Sequence, residues 1–267
     1  MSAIRWTVSL AAVVLFACAV RGGDAADKKL VEAIAQEIDL VPGLYVKSQD
    51  GGKVKELPTF SAKRLAPYAL EKDQTLDKER ARWKANKEKY AKDFPLRAAV
   101  FEAVEATPIV TLTMALQGPL NAKAKAAALD RQRPIGVAIF KLEQSLAQIN
   151  EADEQRAKET SKRWHANFDF ARLRVEGNIA FLMEYNFALG KIRSDQLPDL
   201  GPGENGWKLG LRPKLSITES KAKDLYKQRS KLIKKIQEDY PSTPWDYFAE
   251  RESKYQLGLQ WTTMKAK

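Results

Sequence analysis

Apolar residues recur at helical spacing along most of this chain. The longest such run lies between Thr160 and Ile192. There Trp164, Phe168, Ala171, Val175, Ile179 and Leu182 form one stripe, and Phe170, Leu173, Ala180 and Phe181 widen it toward a second face. A helix apolar on two sides packs at the centre of its bundle. At about 33 residues it spans roughly 50 Å. Upstream, Asn121 can cap a helix over Ala122 to Arg133, and Pro134 breaks that helix or starts the next. The next runs to about Ala152, with Ile139, Leu142, Leu146 and Ile149 on one face. Few residues separate these two runs, which predicts a long antiparallel helical hairpin.

The same pattern predicts shorter helices on either side. Lys28 to Leu40 carries Leu30, Ile34 and Ile38 on one stripe, and Pro42-Gly43 ends it. Leu76 to Phe94 reads as one highly charged helix with Trp83 and Tyr90 on a common face and local ion pairs such as Asp77 with Arg80 and Glu88 with Lys92. Pro95 opens a further helix to Glu105, which Thr107-Pro108 stops. Ser216-Ile217-Thr218-Glu219 has the form of a capping box for a helix through Asp239. Its apolar face holds Ala222, Leu225, Tyr226, Leu232, Ile233 and Ile236. Arg229 falls within that arc and requires a carboxylate partner if buried. Thr243-Pro244-Trp245-Asp246 then starts the last helix.

Period-two alternation is rarer. Leu44 to Lys47 and Lys53 to Lys55 flank Ser48-Gln49-Asp50-Gly51-Gly52, a signal for a small N-terminal β-hairpin. Trp207, Leu209 and Leu211 alternate, as do Leu257, Leu259 and Trp261, so strands near 207–211 and 257–261 can pair. Thr107 to Leu116 fits a strand, a connector or a short helix. The fold class expected is therefore mainly α, a long antiparallel hairpin within a bundle, with small β pieces. Residues 27–267 read as a single domain. The stretch 107–120 is a candidate sub-boundary, and 194–214 is a Pro/Gly-rich loop.

The first 26 residues change the picture. A basic start, Met1 to Arg5, precedes an apolar stretch, Trp6 to Val20, and small residues at Ala17, Ala19, Ala25 and Ala26. That order is a secretory signal peptide, cleaved after Ala19, Ala25 or Ala26. Two alternatives stay open. Leu15-Phe16-Ala17-Cys18 can serve as a lipoprotein box with Cys18 lipidated, although Phe16 is bulky for it. An uncleaved anchor is disfavoured by the short apolar run. The chain is thus expected to be exported, and periplasmic, secreted or envelope-associated. Cys18 is its only cysteine, so the mature part has no thiol and no disulfide. An apolar content of 44% suffices for a core without one. Net charge is +11 overall, of which Arg5 and Arg21 against Asp24 place +1 in the leader. A basic exported chain suits acidic partners, although such charge also serves solubility alone.

The helix pair closing on Tyr240-Pro241-Ser242-Thr243-Pro244-Trp245 resembles a single tetratricopeptide-type unit, without a second copy at a 34-residue period. Several further runs carry a wider resemblance. They are Pro95-Leu96-Arg97-Ala98-Ala99-Val100-Phe101, Lys162 to Asp169, Glu184-Tyr185-Asn186, Pro241 to Trp245, and Leu257-Gly258-Leu259-Gln260-Trp261. In these the chain resembles an uncharacterised helical family of exported proteins from planctomycete-type bacteria, whose segments also occur beside von Willebrand factor A-type domains. The resemblance implies a bacterial envelope setting and carries over no active site.

Catalytic motifs are not found. His165 is the only histidine and reads as a helix residue making a local hydrogen bond. Gly201 to Gly206 fits G-x-G-x-x-G literally, but Pro198 before it and a Trp/Leu alternation after it make it a turn-rich loop. Paired acids for an envelope polymer hydrolase could come from Asp169, Glu176 and Glu184, or from Glu151, Asp153 and Glu154. No cofactor or metal site is expected. The strongest positive feature is a lysine stripe, Lys223, Lys227, Lys231 and Lys235 with Lys234 beside them, opposite the apolar arc of its helix. It is a candidate anion-contact surface or an ordinary solvated face. No aromatic platform accompanies it, which disfavours a single-stranded nucleic acid. The function expected is that of an exported, non-catalytic helical interaction or structural protein of the cell envelope, whose partner is a protein or an acidic polymer. Binding of polyanions or anionic membranes through the basic helix 221–235 is the first alternative, and envelope hydrolysis is the second.

Overall fold

Residues 25–46, 57–69, 75–108, 112 and 115–265 are described by the structure, a computed structural model. In chain order the helices are α1 (Lys28–Ile38), α2 (Ala62–Leu65), α3 (Leu76–Ala85), α4 (Lys87–Asp93), α5 (Pro95–Ala106), α6 (Ala122–Glu154), α7 (Lys162–Arg193), α8 (Ser220–Asp239) and α9 (Pro244–Lys254). The strands are β1 (Ala115–Gln117), β2 (Glu204–Arg212) and β3 (Gly258–Lys265), forming one antiparallel sheet in that order. The architecture is mainly α, as the periodicity predicts.

Helix α7 is the axis. Its N-terminus is capped by Ser161, whose side chain accepts from the Trp164 amide. Every residue from Leu173 to Tyr185 is buried, so no face of that stretch meets water. Helices α5, α6 and α8 pack along it, with α6 its antiparallel partner across the short 3-10 turn Arg156–Lys158. Two apolar clusters meet on α7. One gathers Phe168, Val175, Ile179 and Phe181 with Trp83, Phe101, Leu142 and Trp261. The other gathers Ala166, Phe170 and Leu173 with Ile34, Ile38, Ile236 and Trp245. Close approach has a steric condition at Gly177, where an added Cβ would stand 2.7 Å from the Tyr45 hydroxyl oxygen.

Several boundaries differ from expectation. Helix α6 runs unbroken through Pro134. Pro134 and Asp130 are both exposed, so the carbonyl that loses its helical donor can turn to water. The single charged helix over 76–94 is instead two, α3 and α4. Asn86 leaves the helical conformation (φ −158°, ψ 86°) and its side chain caps α4 through the Lys89 amide. Glu88–Lys92 forms an ion pair at 3.0 Å, whereas Arg82, rather than an Asp77–Arg80 pair, engages Glu79 at 2.7 Å. Strands β2 and β3 pair with Leu209 opposite Trp261, and β1 joins the far edge of β2. Within 107–116, residues 115–116 are therefore strand. Residues 1–24 of the leader and residues 47–56 of the predicted N-terminal hairpin lie outside the described residues, and Leu44 to Val46, expected as its first strand, form a turn closed by the Val46 amide on the Gly43 carbonyl.

The capping box at Ser216 does not form. Helix α8 starts four residues later, at Ser220, with Glu219 at its N-cap and no side-chain cap bond. A tertiary carboxylate takes over the backbone there. Glu184 of α7, fully buried, accepts the Ser216 amide (2.7 Å), the Ile217 amide (2.8 Å) and the Leu259 amide (2.8 Å). One side chain thus ties the approach to α8 and the start of β3 to the central helix. Glu184→Ala strands two buried donors, the Ile217 and Leu259 amides, each costing about 1–3 kcal/mol, and frees the half-buried Ser216 amide. Urea unfolding should show a loss of at least about 2 kcal/mol. A loss within experimental error would contradict this role.

Candidate functional site

Because most of α7 is buried, its polar side chains need partners, and they find them on several neighbouring elements. Near its start, Arg163 grips Glu37 of α1 through two 2.7 Å bonds, and Asn167 donates to the same carboxylate at 2.7 Å. Asn167 also accepts the Trp245 indole N–H at 2.9 Å. Further along, Asn178 accepts the Leu44 amide (2.8 Å) and donates to the Pro42 carbonyl (2.9 Å). These contacts fasten the N-terminal segment to the bundle.

The densest cluster surrounds Glu252 of α9, which is fully buried. Arg229 Nη2 lies 2.9 Å from one carboxylate oxygen and Arg174 Nε 2.8 Å from the other. The Tyr45 hydroxyl donates to Glu252 at 2.6 Å. Burial, reinforced by the Glu252 charge, pushes the Tyr45 hydroxyl far above its ordinary value, so it stays protonated and donating. Arg229 thus has the carboxylate that its place in an apolar arc requires. A separate cluster joins Arg97 to Glu159 through bonds of 2.7 and 2.9 Å and to Glu79 at 3.3 Å, with Tyr90 donating to Glu79.

Of the acids that sequence spacing offers for hydrolysis, Asp153, Asp169 and Glu176 are brought into one network at the hairpin turn. Arg156 bridges Asp169 (2.6 and 2.8 Å) and Asp153 (3.1 Å). Arg172 bridges Asp153 and Glu176, both at 3.1 Å. Tyr240 and Lys235 also donate to Asp169, at 2.7 and 3.1 Å. Burial alone pushes the Asp169 carboxyl up, but the Arg156 and Tyr240 hydrogen bonds and the Arg156 and Lys235 charges outweigh it and hold the group below the usual carboxylate range. Glu176 is different. Burial pushes it up, the Arg172 ion pair offsets this only in part, and its Oε2 has no partner among the described residues. Glu184 stands apart, bound to backbone amides. Glu151 and Glu154 are exposed on α6. Arginines therefore separate these carboxylates. Among the described residues no three His, Cys, Asp or Glu side chains form a metal-holding group. His165 bonds through Nε2 to the Glu159 carbonyl at 2.8 Å. Gly201 to Gly203 turn into β2, and Glu204 accepts the Gly201 amide.

The lysine stripe divides. Lys223, Lys227, Lys231 and Lys234 are exposed along the outer face of α8, with no ion-pair partner among the described residues. Lys235 turns aside to Asp169 and Asp239, so it belongs to the internal network. Sequence reasoning did not find the Glu252 and Glu37 clusters. The available signal was Arg163, Asn167 and Arg174 inside an apolar helix, where polar residues imply buried partners. Sequence reasoning also missed a groove of about 580 Å³ between α6, α7 and the approach to α8, lined by Ile139, Met183, Asn186, Phe187, Lys191 and Ile217 among others.

No protein-family model matches the chain, and no curated protein or solved structure proves similar to it.

The two buried acids carry opposite pH signatures. Asp169, held low, contributes stability that is complete above the ordinary carboxylate range and lost as pH falls through it and below. Glu176, held high, favours the fold while protonated, and that contribution fades as pH rises through its raised value. At neutral pH Asp169→Asn should cost about 3 kcal/mol and flatten the acid limb of stability. Glu176→Gln should cost less than about 1 kcal/mol or stabilise, since it removes an ionisation penalty. Chemical denaturation from pH 3 to 8 (roughly the span that carboxylates cover) checks both signs. Equal losses from the two variants would refute the assignment.

Proposed function

We propose that this chain is an exported, non-catalytic helical interaction module of the bacterial cell envelope, working through its outer helix faces. The observation that carries this reading is the partition of charge. Seven acids are buried among the described residues (Glu37, Glu79, Glu159, Asp169, Glu176, Glu184 and Glu252), against four arginines and no lysine. The acids are engaged in holding elements together, and the surface is left more basic than the composition. An enzyme needs groups free to change partners or protonation during turnover. Most of the buried acids here are committed to fixed arginine or amide donors.

Export rests on the leader pattern and on a thiol-free mature chain that folds by burial alone. No helix among the described residues is long and apolar enough to cross a membrane. The Ala26 amide donates to the Phe60 carbonyl at 2.8 Å and Ala25 bridges Ser61, which favours a cut after Ala19 that leaves both residues in the mature chain. The envelope setting follows the family resemblance.

Expression with the leader in a bacterial host, followed by fractionation and intact-mass measurement, tests the reading. The expected product is a shortened chain beginning at Val20 in the periplasmic or envelope fraction. Full-length precursor in the cytosol would contradict export. Purified chain incubated with wall polymers should release no fragments, and time-dependent release would contradict a non-catalytic role.

A further inference from the structure

We infer that the outer face of α8 is a docking surface for a linear acidic polymer of the envelope, a proposal that rests on the exported reading and names its partner class. Lys223, Lys227, Lys231 and Lys234 occupy an arc of about 80° and extend roughly 16 Å along the axis, with successive turns about 6 Å apart. Rotation of the helix cannot hide them. Ala222, Leu225, Ile233 and Ile236 bury the opposite face, Arg229 is locked to Glu252, and Lys235 is held by Asp169 and Asp239. The lysine face is therefore presented rigidly.

Other surface lysines show what this face lacks. Lys221 meets Glu143 at 2.7 Å, Lys254 meets Glu250 at 2.7 Å and Lys92 meets Glu88 at 3.0 Å. The four lysines of the stripe pair with no acid among the described residues, although Glu219 and Glu238 stand exposed one turn beyond its two ends and Asp224 beside it. Like charges four apart oppose one another on a helix. An external row of anions relieves this repulsion.

The single-file geometry selects the occupant. A chain carrying phosphodiester or carboxylate groups can follow the row and release counterions at each contact. A membrane-surface helix needs a free apolar face to enter the headgroup layer, and here that face is in the core. Exposed aromatic rings for base stacking are also missing from this face among the described residues, which disfavours single-stranded nucleic acid.

The test uses the purified mature chain with three probes: poly(glycerol phosphate), single-stranded DNA, and vesicles of phosphatidylglycerol with phosphatidylcholine. Two variants of equal charge are compared, K223Q/K227Q/K231Q/K234Q and K123Q/K141Q/K162Q/K208Q, after thermal unfolding confirms that both fold. The expected result is polymer binding that weakens at least about tenfold in the first variant at moderate salt, with a salt slope lower by about three. The second variant should bind nearly as the parent does. Equal weakening in both variants would overturn the proposal, because net charge alone would then be responsible. Preferential binding of vesicles or DNA would overturn the choice of occupant, and absence of polymer binding would overturn the surface itself. These results do not depend on where the chain resides in the cell. Cytosolic precursor in the fractionation experiment would overturn export while leaving the binding result to stand.

Discussion

A helix enclosed on all sides cannot leave a charge unpaired, and this condition on α7 organises the molecule. Between Leu173 and Tyr185 there is no solvent to accept a guanidinium, an amide or a carboxylate. Each of these groups must meet a partner of the right chemistry at hydrogen-bond distance, or the desolvation cost of several kcal/mol per ion stands uncompensated. Apolar packing alone would tolerate small rotations of α1, α8 and α9 around the axis. Directional bonds from Arg163 to Glu37, from Arg229 to Glu252, and from three amides to Glu184 do not. Burial supplies the free energy of association, and these bonds select one arrangement.

The same condition separates inside from outside. Arginine suits the interior because its planar, permanently charged fork can satisfy two carboxylate oxygens at once, as Arg163 and Arg97 do. Lysine, a compact and strongly hydrated charge, stays at the surface. Acids drawn inward are lost to the surface as neutralising partners, so a basic chain becomes more basic where it meets other molecules. On α8 both consequences are visible in one helix, with Arg229 inward on Glu252 and four lysines outward.

Local rules recovered what local rules govern. The two-sided apolar stripe of α7, the antiparallel partner α6 and the pairing of β2 with β3 follow from periodicity. Arg229 announced a missing carboxylate by lying among leucines and isoleucines. Tertiary decisions were hidden. Nothing near Ser216 reveals that Glu184, 32 residues away, captures its amide and so displaces the start of α8 to Ser220. Asn86 ends one helix and caps the next through a side chain that also suits a helix interior on solvent. Pro134 is tolerated because its turn faces water, a fact of position rather than of residue type. The acids proposed for hydrolysis illustrate the limit most clearly. Spacing placed Asp169 and Glu176 two turns apart, but only the folded chain shows Arg156 and Arg172 between them.

Native-state hydrogen exchange at the amides of Ser216, Ile217 and Leu259 addresses the central claim most directly. If the carboxylate of Glu184 anchors two distant segments to the enclosed helix, these three amides exchange only when the whole molecule opens. Their free energy of exchange then equals that of the amides in the middle of α7. Exchange through local opening, at a free energy well below that of α7, would contradict the account.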